Sequence, residues 1–284
     1  MELRSSLPNR GEPAIAYPML EVEFAQISDP GMVRGHNEDC LGHFVPSSPI
    51  LVRTHGWLFV LCDGVGGQQK GEVASQTAVE TLVTGFREAS GHEPHSALLP
   101  RLVKAANTRV FETGMTTGVA GVNMATTLVA CALRFDRAVI SHVGDSRCYL
   151  VRRAHATLLT QDHTIASEHV RMGLISVREA GEGTTRHLLS RSLGAEMFVN
   201  VDTHETQVLM DDILVLCSDG LHNSVDRSEI AITATHSPSL EAAARKLVIL
   251  ANQRDGSDNV SVQLVRIRSV ERVGMYRGRP YRLH

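Results

Sequence analysis

The sequence is poor in aromatic residues, carries little net charge and contains no long hydrophobic run. Aromatic residues make up 4% of the 284 residues, so the core must be built mainly from Val, Leu, Ile and Ala. The formal net charge of -3 gives no electrostatic footprint for nucleic acid, and we expect no nucleic-acid partner. No stretch approaches about 18 uninterrupted apolar residues, so no membrane span is expected. The remaining composition, 43% hydrophobic and 21% charged, is typical of a globular domain.

Cysteine is also scarce. The five cysteines are spread along the chain without a CxxC pair: Cys40, Cys62, Cys131, Cys148 and Cys217. An odd, scattered set of this kind favours reduced, buried thiols over a disulfide framework. The first residues also lack the apolar segment of a signal peptide. We therefore predict a cytoplasmic protein, and we expect a monomer.

The chain divides into a central domain and two arms. Residues 1–20 contain three prolines and no periodicity, which predicts a flexible N-terminal arm. Residues 21–268 form the predicted folded domain. Residues 269–284 form a basic C-terminal tail with four arginines, which is either disordered or a docking segment for an acidic partner.

The periodic segments predict more strands than helices. Strands are expected at 21–28, 57–62, 126–133, 138–143, 147–151, 213–217 and 260–267. Helices are expected at 72–87, 96–113 and 240–252, with Ser96 and Ser239 as N-caps of the last two. The long helices come in pairs and not after every strand, so we predict an α+β fold with antiparallel sheets and layered helices.

The polar segment from about 163 to 190 does not fit this pattern. It contains three glycines and lacks a strong apolar stripe. A segment of this size within a compact domain is often a lid or binding flap, and we predict a flap here.

Acidic residues recur at the ends of the predicted strands. Asp63 and Asp219 each follow a buried apolar run and precede a glycine, and Asp145 lies in a Gly-Asp-Ser turn. Asp258 precedes the last strand, and the pair 38–39 (Glu-Asp) follows the first. Each Asp-Gly alone predicts only a turn. Carboxylates that converge on one sheet edge repel each other, and binding Mg²⁺ or Mn²⁺ relieves that repulsion. The glycine after Asp63 allows a cation close to the backbone, so its carbonyl is a further candidate ligand.

Seven motifs occur in one order along the chain: SDPGMVRGHNED, DGVGGQQKGEVAS, MATTLV, GDSRCYL, QDH, CSDGL and DNVSV. Together they resemble the motifs of the metal-dependent type 2C (PPM) family of serine/threonine protein phosphatases, in its bacterial form. The resemblance covers residues from about 21 to 267. It implies a β-sandwich of two antiparallel sheets flanked by pairs of helices, with a flap over the active site.

The resemblance also implies a role for each acidic residue. Asp63 would bridge two metal ions, with Asp219 and Asp258 completing the first site. The Gly64 carbonyl would bind the second metal. The remaining implied ligands are Glu38 and Asp39, which would hold waters on the second metal, and Asp145, which would join Asp219 at a third, weaker ion. Arg34 would clamp the substrate phosphate.

The implied reaction is hydrolysis of phosphoserine and phosphothreonine in proteins by a hydroxide that bridges two Mn²⁺ or Mg²⁺ ions. The implied partners are phosphoproteins, the targets of an opposing Ser/Thr kinase. His163 of the QDH motif is a possible catalytic helper, although a structural hydrogen bond at the base of the flap is favoured. Two alternatives stay open: a catalytically silent scaffold that binds phosphoproteins, and a metal-dependent nuclease or phosphodiesterase, which the net charge does not favour.

Overall fold

The computed structural model describes residues 19–65, 70–116, 124–183, 187–276 and 279–282. Most of the predicted N-terminal arm, residues 1–18, lies outside this part of the chain. The described strands are β1 (Glu21–Asp29), β2 (Asp39–Phe44), β3 (Trp57–Val65), β4 (Ala125–Thr126), β5 (Leu128–Arg134), β6 (Arg137–Val143), β7 (Arg147–Arg152), β8 (His155–Leu158), β9 (Asp202–Gln207), β10 (Ile213–Cys217), β11 (Val260–Ser269), β12 (Val273–Tyr276) and β13 (Arg279–Arg282). The described helices are α1 (Pro49–Thr54), α2 (Lys70–Glu88), α3 (His95–Thr116), α4 (Ile165–Arg171), α5 (Val177–Glu182), α6 (Asp219–His222), α7 (Arg227–His236) and α8 (Leu240–Arg254).

Two antiparallel sheets stack face to face between two layers of helices. One sheet has the order β1-β11-β10-β7-β8, and the other has the order β2-β3-β5-β6-β9, with β4 paired to β3. Apolar side chains such as Phe59, Ile140 and Leu216 fill the space between the sheets. A second core packs α2 and α3 against the β3 sheet, and a third packs α7 and α8 against the β10 sheet. The predicted α+β sandwich with flanking helix pairs is therefore confirmed.

Strand pairing brings the ends of several strands to one end of the sandwich. The start of β2 pairs with the end of β3, since Asp39 lies opposite Asp63. The start of β11 pairs with the ends of both β1 and β10, and the end of β10 pairs with the start of β7. Because all the pairs are antiparallel, loops separated by more than 200 residues in sequence meet at this end.

The chain passes from one sheet to the other between β6 and β7. These strands belong to different sheets, so the Gly144–Ser146 turn is a crossover rather than a hairpin. Gly144 has a φ of +104°, which favours glycine, and a Cβ there would lie 2.6 Å from Thr127 Cβ. The turn thus requires glycine for both conformation and space.

The strongest sequence patterns predicted the correct elements, and most of the predicted bounds differ from the observed ones by one to three residues. The helix predicted at 240–252 begins after its predicted N-cap Ser239, whose hydroxyl accepts from Ala242 N. The N-cap predicted at Ser96 is wrong, because α3 already includes His95. The strand predicted to stop before Asp63 continues to Val65, since pairing with β4 extends it. The strand predicted at 126–133 is interrupted at Thr127, whose side chain bonds the neighbouring strand.

Several elements had no sequence signal. The exposed β9 consists of polar residues, and the half-buried β2 mixes Asp, Gly and His with Cys, Leu and Phe, so neither shows a core-facing alternation. In the basic tail, β12 and β13 pair antiparallel, and the disorder considered there is wrong for these strands. Each has four residues, too few for a periodic pattern to stand out.

Within the described residues, no helix has the length and apolar character needed to cross a membrane. All five cysteines lie in the described part of the chain as free thiols. Four are buried and Cys40 is half-buried, in agreement with the reduced state predicted from their spacing.

Candidate metal-dependent active site

Asp39 and Asp63 lie side by side at the centre of the candidate site. They face each other across the β2–β3 pair, where cross-strand Cβ atoms are about 4.5–5.5 Å apart. Ser218 Oγ donates to Asp39 Oδ2 at 2.9 Å, while the buried Asp39 Oδ1 has no hydrogen-bond partner. On the other side, Asp63 N donates to Thr127 Oγ1 at 3.0 Å. The backbone that carries the two carboxylates is thus fixed, and one buried oxygen is left without a donor.

Three more aspartates reach the same end from the other sheet and from the crossover. Asp219 begins α6 directly after β10, Asp258 precedes β11, and Asp145 lies in the β6–β7 crossover. Each of the three acts electrostatically on Asp63. The predicted convergence of acidic residues is therefore present in the fold.

Burial and mutual repulsion raise the pKa values of this carboxylate set. Burial, followed by repulsion from Asp39, Asp219, Asp145 and Asp258, raises the pKa of Asp63 well above its ordinary value of 3.8. Burial is also the largest cause at Asp39 and Asp145, and it raises the pKa of each to about 7. The pKa of Asp219 is raised as well, by burial and then by Asp258. By accessible surface Asp39 and Asp63 are only half-buried, so these groups line a cleft that solvent reaches.

The loop between β1 and β2 supplies Arg34 and Glu38. Arg34 Nη2 lies 2.9 Å from Asp258 Oδ2, and both side chains are partly exposed. Burial raises the pKa of Glu38 above its ordinary value, and Arg34 opposes that shift. Arg34 therefore lies at the rim of the acidic cleft, in contact with one of its aspartates.

Asn259 braces this loop from beneath. Its Oδ1 accepts from Glu38 N at 2.8 Å, and its Nδ2 donates to the carbonyls of Pro30 at 2.9 Å and His36 at 3.0 Å. The side chain is 5% exposed. The DN motif thus provides a loop anchor as well as the predicted ligand Asp258.

Gly64 lies where β2, β3 and α2 meet. The Gly64 N–H donates to the Glu38 carbonyl at 3.1 Å. The Glu38 N–H donates to Asn259 Oδ1 and therefore does not bond the Gly64 carbonyl. A Cβ at Gly64 would lie 2.3 Å from the Gly71 carbonyl oxygen. Glycine is thus required by the close approach of α2.

The residues of the cleft fit a divalent metal centre. The donors are all oxygens, the type that Mn²⁺ and Mg²⁺ prefer, and one of them is the unpartnered buried Asp39 Oδ1. The set is wider than one compact site: among the described residues, no three of its carboxylates offer oxygens that all lie within 4.8 Å of one another.

The predicted flap borders this cleft. A cavity of about 440 Å³ separates α4 and α5 from the core, and Asp145, Arg147 and His222 line its inner side. His187, near the end of the flap, approaches Asp219 with Nδ1 at 3.9 Å from Oδ2. Residues 184–186 of the predicted flap lie outside the described residues.

Sequence reasoning named the acidic residues but missed the groups that hold them. Ser218, Thr127 and Asn259 each bond a predicted ligand or its backbone. All three belong to the recognised motifs, so the motif letters were the available signal. The structural hydrogen bond favoured for His163 at the base of the flap is present, since its Nδ1 accepts from Gly144 N–H.

A sandwich with an oxygen-lined acidic cleft at one end is an architecture suited to metal-dependent hydrolysis. The family model described as Protein phosphatase 2C matches residues 43–254. The serine/threonine phosphatase stp of Listeria welshimeri is 34% identical over 260 residues, which cover 89% of this chain and 96% of that protein. The chain belongs to the protein phosphatase 2C family.

Solved structures of similar phosphatases agree with this family assignment. The Mycobacterium tuberculosis serine/threonine phosphatase PstP/Ppp has a TM-score of 0.77 and 30% identity, covering 88% of this chain and 100% of that one. The catalytic domain of PstP in complex with two manganese ions has a TM-score of 0.74 and 31% identity, with coverages of 88% and 100%. The present chain is a protein serine/threonine phosphatase, an enzyme that acts on phosphoproteins, and its family is metal-dependent.

Proposed function

We propose that this phosphatase works through a dinuclear Mn²⁺ or Mg²⁺ centre in the acidic cleft, by direct attack of water and without a phosphorylated enzyme intermediate. The observation that supports the proposal most strongly is the opposed pair Asp39 and Asp63, with three further aspartates converging from the second sheet and from the β6–β7 crossover. When bound there, two divalent ions supply an activated water and positive charge for the phosphoryl oxygens.

The chain's own residues then have distinct tasks. Asp63 would contribute to both ion sites, and Asp219 and Asp258 would complete the first. The Gly64 carbonyl would bind the second ion, and Glu38 and Asp39 would hold waters on it. Asp145 and Asp219 would hold a third, weaker ion.

Arg34 binds the substrate phosphate in this proposal. Its contact with Asp258 engages Nη2, one part of a guanidinium that has five N–H donors. The side chain is 51% exposed and stands at the rim, so a phosphate monoester that enters the cleft can reach it. Bidentate binding by Arg both orients the phosphoryl group and offsets its charge.

The proposal is tested by hydrolysis of p-nitrophenyl phosphate and a phosphothreonine peptide, with Mn²⁺ titrated in and EDTA as the control. We expect metal-dependent turnover that Asp63→Asn reduces by at least about 10³-fold, because the bridging carboxylate is lost. Asp226→Asn is the matched control, since it neutralises an exposed N-cap carboxylate of α7 and Asn keeps the cap.

Each alternative gives a different result in the same assay. Phosphopeptide binding without turnover, in wild-type protein with metal bound, would contradict the proposal and favour the silent scaffold. Faster hydrolysis of bis-p-nitrophenyl phosphate than of the monoester would favour a phosphodiesterase.

We further propose that the substrates are targets of a Ser/Thr kinase in the same bacterial cytoplasm, and that the enzyme acts as a monomer. The free thiols of the buried cysteines support a reducing compartment. Deletion of the gene should raise Ser/Thr phosphorylation of specific proteins in quantitative phosphoproteomics. Light scattering on the purified protein should give a mass near 30.9 kDa.

A further inference from the structure

His142, His163 and Asp202 form a second cluster of potential metal ligands, at the base of the flap and apart from the acidic cleft. One ligand atom from each lies within 4.8 Å of the other two. The two imidazole rings are buried and stacked, with centroids 4.8 Å apart and planes inclined by 17°. Geometry alone would therefore allow a metal site here.

The hydrogen bonds of His163 exclude that interpretation. Gly144 N–H donates to His163 Nδ1 at 3.1 Å, so Nδ1 carries the lone pair and Nε2 must carry the proton. A neutral imidazole in this tautomer has no lone pair left for a metal at Nε2. Burial lowers the pKa of His163 to about 4, so the ring is neutral near pH 7.

The Nε2–H group faces a carboxylate that is itself held in place. Nε2 makes no well-aligned hydrogen bond but lies 3.2 Å from Asp202 Oδ2. Arg191 Nη1 lies 2.9 Å from the other oxygen of Asp202. Asp202 and Arg191 thus favour the tautomer that leaves Nδ1 free to accept from Gly144. We call these four residues, Gly144, His163, Arg191 and Asp202, the His163 clamp.

The clamp holds the turn that presents Asp145. His163 bonds both backbone groups of Gly144, since its own N–H also donates to the Gly144 carbonyl at 3.0 Å. On the other side of the turn, His222 Nε2 lies 3.0 Å from the Asp145 carbonyl oxygen. The backbone on each side of the Asp145 side chain is therefore fixed by a histidine.

His163 also lies where the two ends of the flap meet. Ser190 N donates to the His163 carbonyl at 2.9 Å, and Ile165 N donates to the Leu188 carbonyl at 2.8 Å. The entry and exit of the flap therefore run side by side at His163. A change in the separation of the flap ends would act on the residue that holds the turn before Asp145.

We propose that His163 is a positioning residue that couples the base of the flap to the Asp145 turn, through its Nδ1 bond to Gly144. The inference rests on the role proposed above for Asp145 as a ligand of the weaker third ion. His163 itself touches neither substrate nor metal in this role.

The test compares His163→Ala with His163→Asn by calorimetric Mn²⁺ titration. His163→Ala removes the acceptor for Gly144 N–H, and we expect the affinity of the weak ion to fall by about 10- to 100-fold without a matching loss at the two core sites. The Asn side-chain oxygen can replace Nδ1 as acceptor, so His163→Asn should recover most of the affinity. His95→Asn is the matched control, because His95 is also buried but lies in α3.

Two measurements on metal-free protein keep the test independent of the metal. In wild type, ¹⁵N NMR should show His163 with the proton on Nε2, and the opposite tautomer would overturn the proposal. Amide exchange at Gly144, Ile165 and Ser190 should be at least about 10-fold faster in His163→Ala than in His163→Asn. Equal exchange in the two variants would overturn the coupling.

The outcomes separate this inference from the proposed function. Wild-type enzyme without Mn²⁺-dependent turnover would contradict the metal mechanism, while the tautomer and exchange measurements would still decide the role of His163. Wild-type enzyme that turns over, with a His163→Ala variant of unchanged weak-ion affinity, would contradict the role of His163 alone. An equal loss of affinity in the Ala and Asn variants would also contradict it, because Asn retains the acceptor.

Discussion

Neutralising Asp145 should stabilise the metal-free protein at neutral pH. Asp145 is 8% exposed, and burial followed by repulsion from Asp219 raises its pKa from 3.8 to about 7. Three pKa units correspond to at most about 4 kcal/mol of stability lost when the group ionises in the folded state. The amide introduced by Asp145→Asn needs an acceptor, which offsets about 1–2 kcal/mol. We therefore expect a net gain of about 2 kcal/mol, or about 4–8 °C in Tm.

The pH dependence of this stability gain shows whether the charge of Asp145 is its cause. Below about pH 4 the carboxyl is protonated in both folded and unfolded states, so it contributes no difference. Between about pH 4 and 7 the unfolded chain loses this proton while the folded protein keeps it, and stability falls as the pH rises. The gain from Asp145→Asn should thus be small at pH 4.5 and reach its full value above pH 7.

The assay is thermal or urea unfolding in EDTA between pH 4.5 and 8, with Glu205→Gln as a control. Glu205 is exposed on β9, so its neutralisation should change little. An Asp145→Asn variant no more stable than wild type at pH 7.5 would refute the reasoning. A gain of equal size at pH 4.5 would refute the electrostatic cause.

Two further predictions concern the backbone around the cleft. Gly144→Ala should lower the free energy of unfolding by about 2 kcal/mol or more, because the new Cβ would lie 2.6 Å from Thr127 Cβ. Gly173→Ala, at a φ of +71° and with no atom within 4 Å, should cost only about 1 kcal/mol. Equal losses for the two variants in urea unfolding would show that the contact with Thr127 does not matter. Asn259→Ala should cost about 2–3 kcal/mol and raise the Mn²⁺ concentration needed for activity, because Glu38 N–H and two carbonyls lose their buried partner. Unchanged stability and metal dependence in this variant would show that the loop holds its place without the brace.

The elements that could be predicted from the sequence are those whose burial is recorded in their residue pattern. β10 is buried at all five positions, and α8 buries one clear face, so both patterns stand out. β9 is an exposed edge strand of polar residues that is positioned by pairing with β6. This backbone pairing requires no alternation of apolar residues in β9, so the strand could not be predicted from its sequence. The same reason explains the missed β2.

The site shows a similar division. The motifs named the six acidic residues described above at the cleft. The ion pair between Arg34 and Asp258 joins positions 224 residues apart, and no local pattern records it. The tautomer of His163 depends on the backbone N–H of Gly144, which only the folded structure supplies. Identity of residues could be inferred from sequence, whereas their hydrogen-bond partners could not.

Structural carboxylates and the carboxylates of the acidic cleft differ in the charges that surround them. Asp162 is half-buried, and partial removal from solvent raises its pKa, but hydrogen bonds from Arg147 at 2.6 and 2.9 Å outweigh this effect and lower the pKa below its ordinary value. The same balance lowers the pKa of Asp202, which Arg191 binds. A purely structural acid is paired in this way, because an unpaired buried charge costs stability.

The acidic cleft lacks this compensation. Around Asp63, the largest electrostatic effects come from four other carboxylates, and each raises its pKa further. Arg34 is the cation at the rim, and its contact is with Asp258 rather than with the central pair. Asp162 and Asp202 each receive hydrogen bonds from an arginine, whereas within the described residues no arginine hydrogen-bonds Asp39 or Asp63. This arrangement keeps repulsion where a divalent ion would relieve it. Metal binding should therefore stabilise the wild type more than the Asp63→Asn variant, and an equal rise in Tm with Mn²⁺ for both proteins would contradict this account.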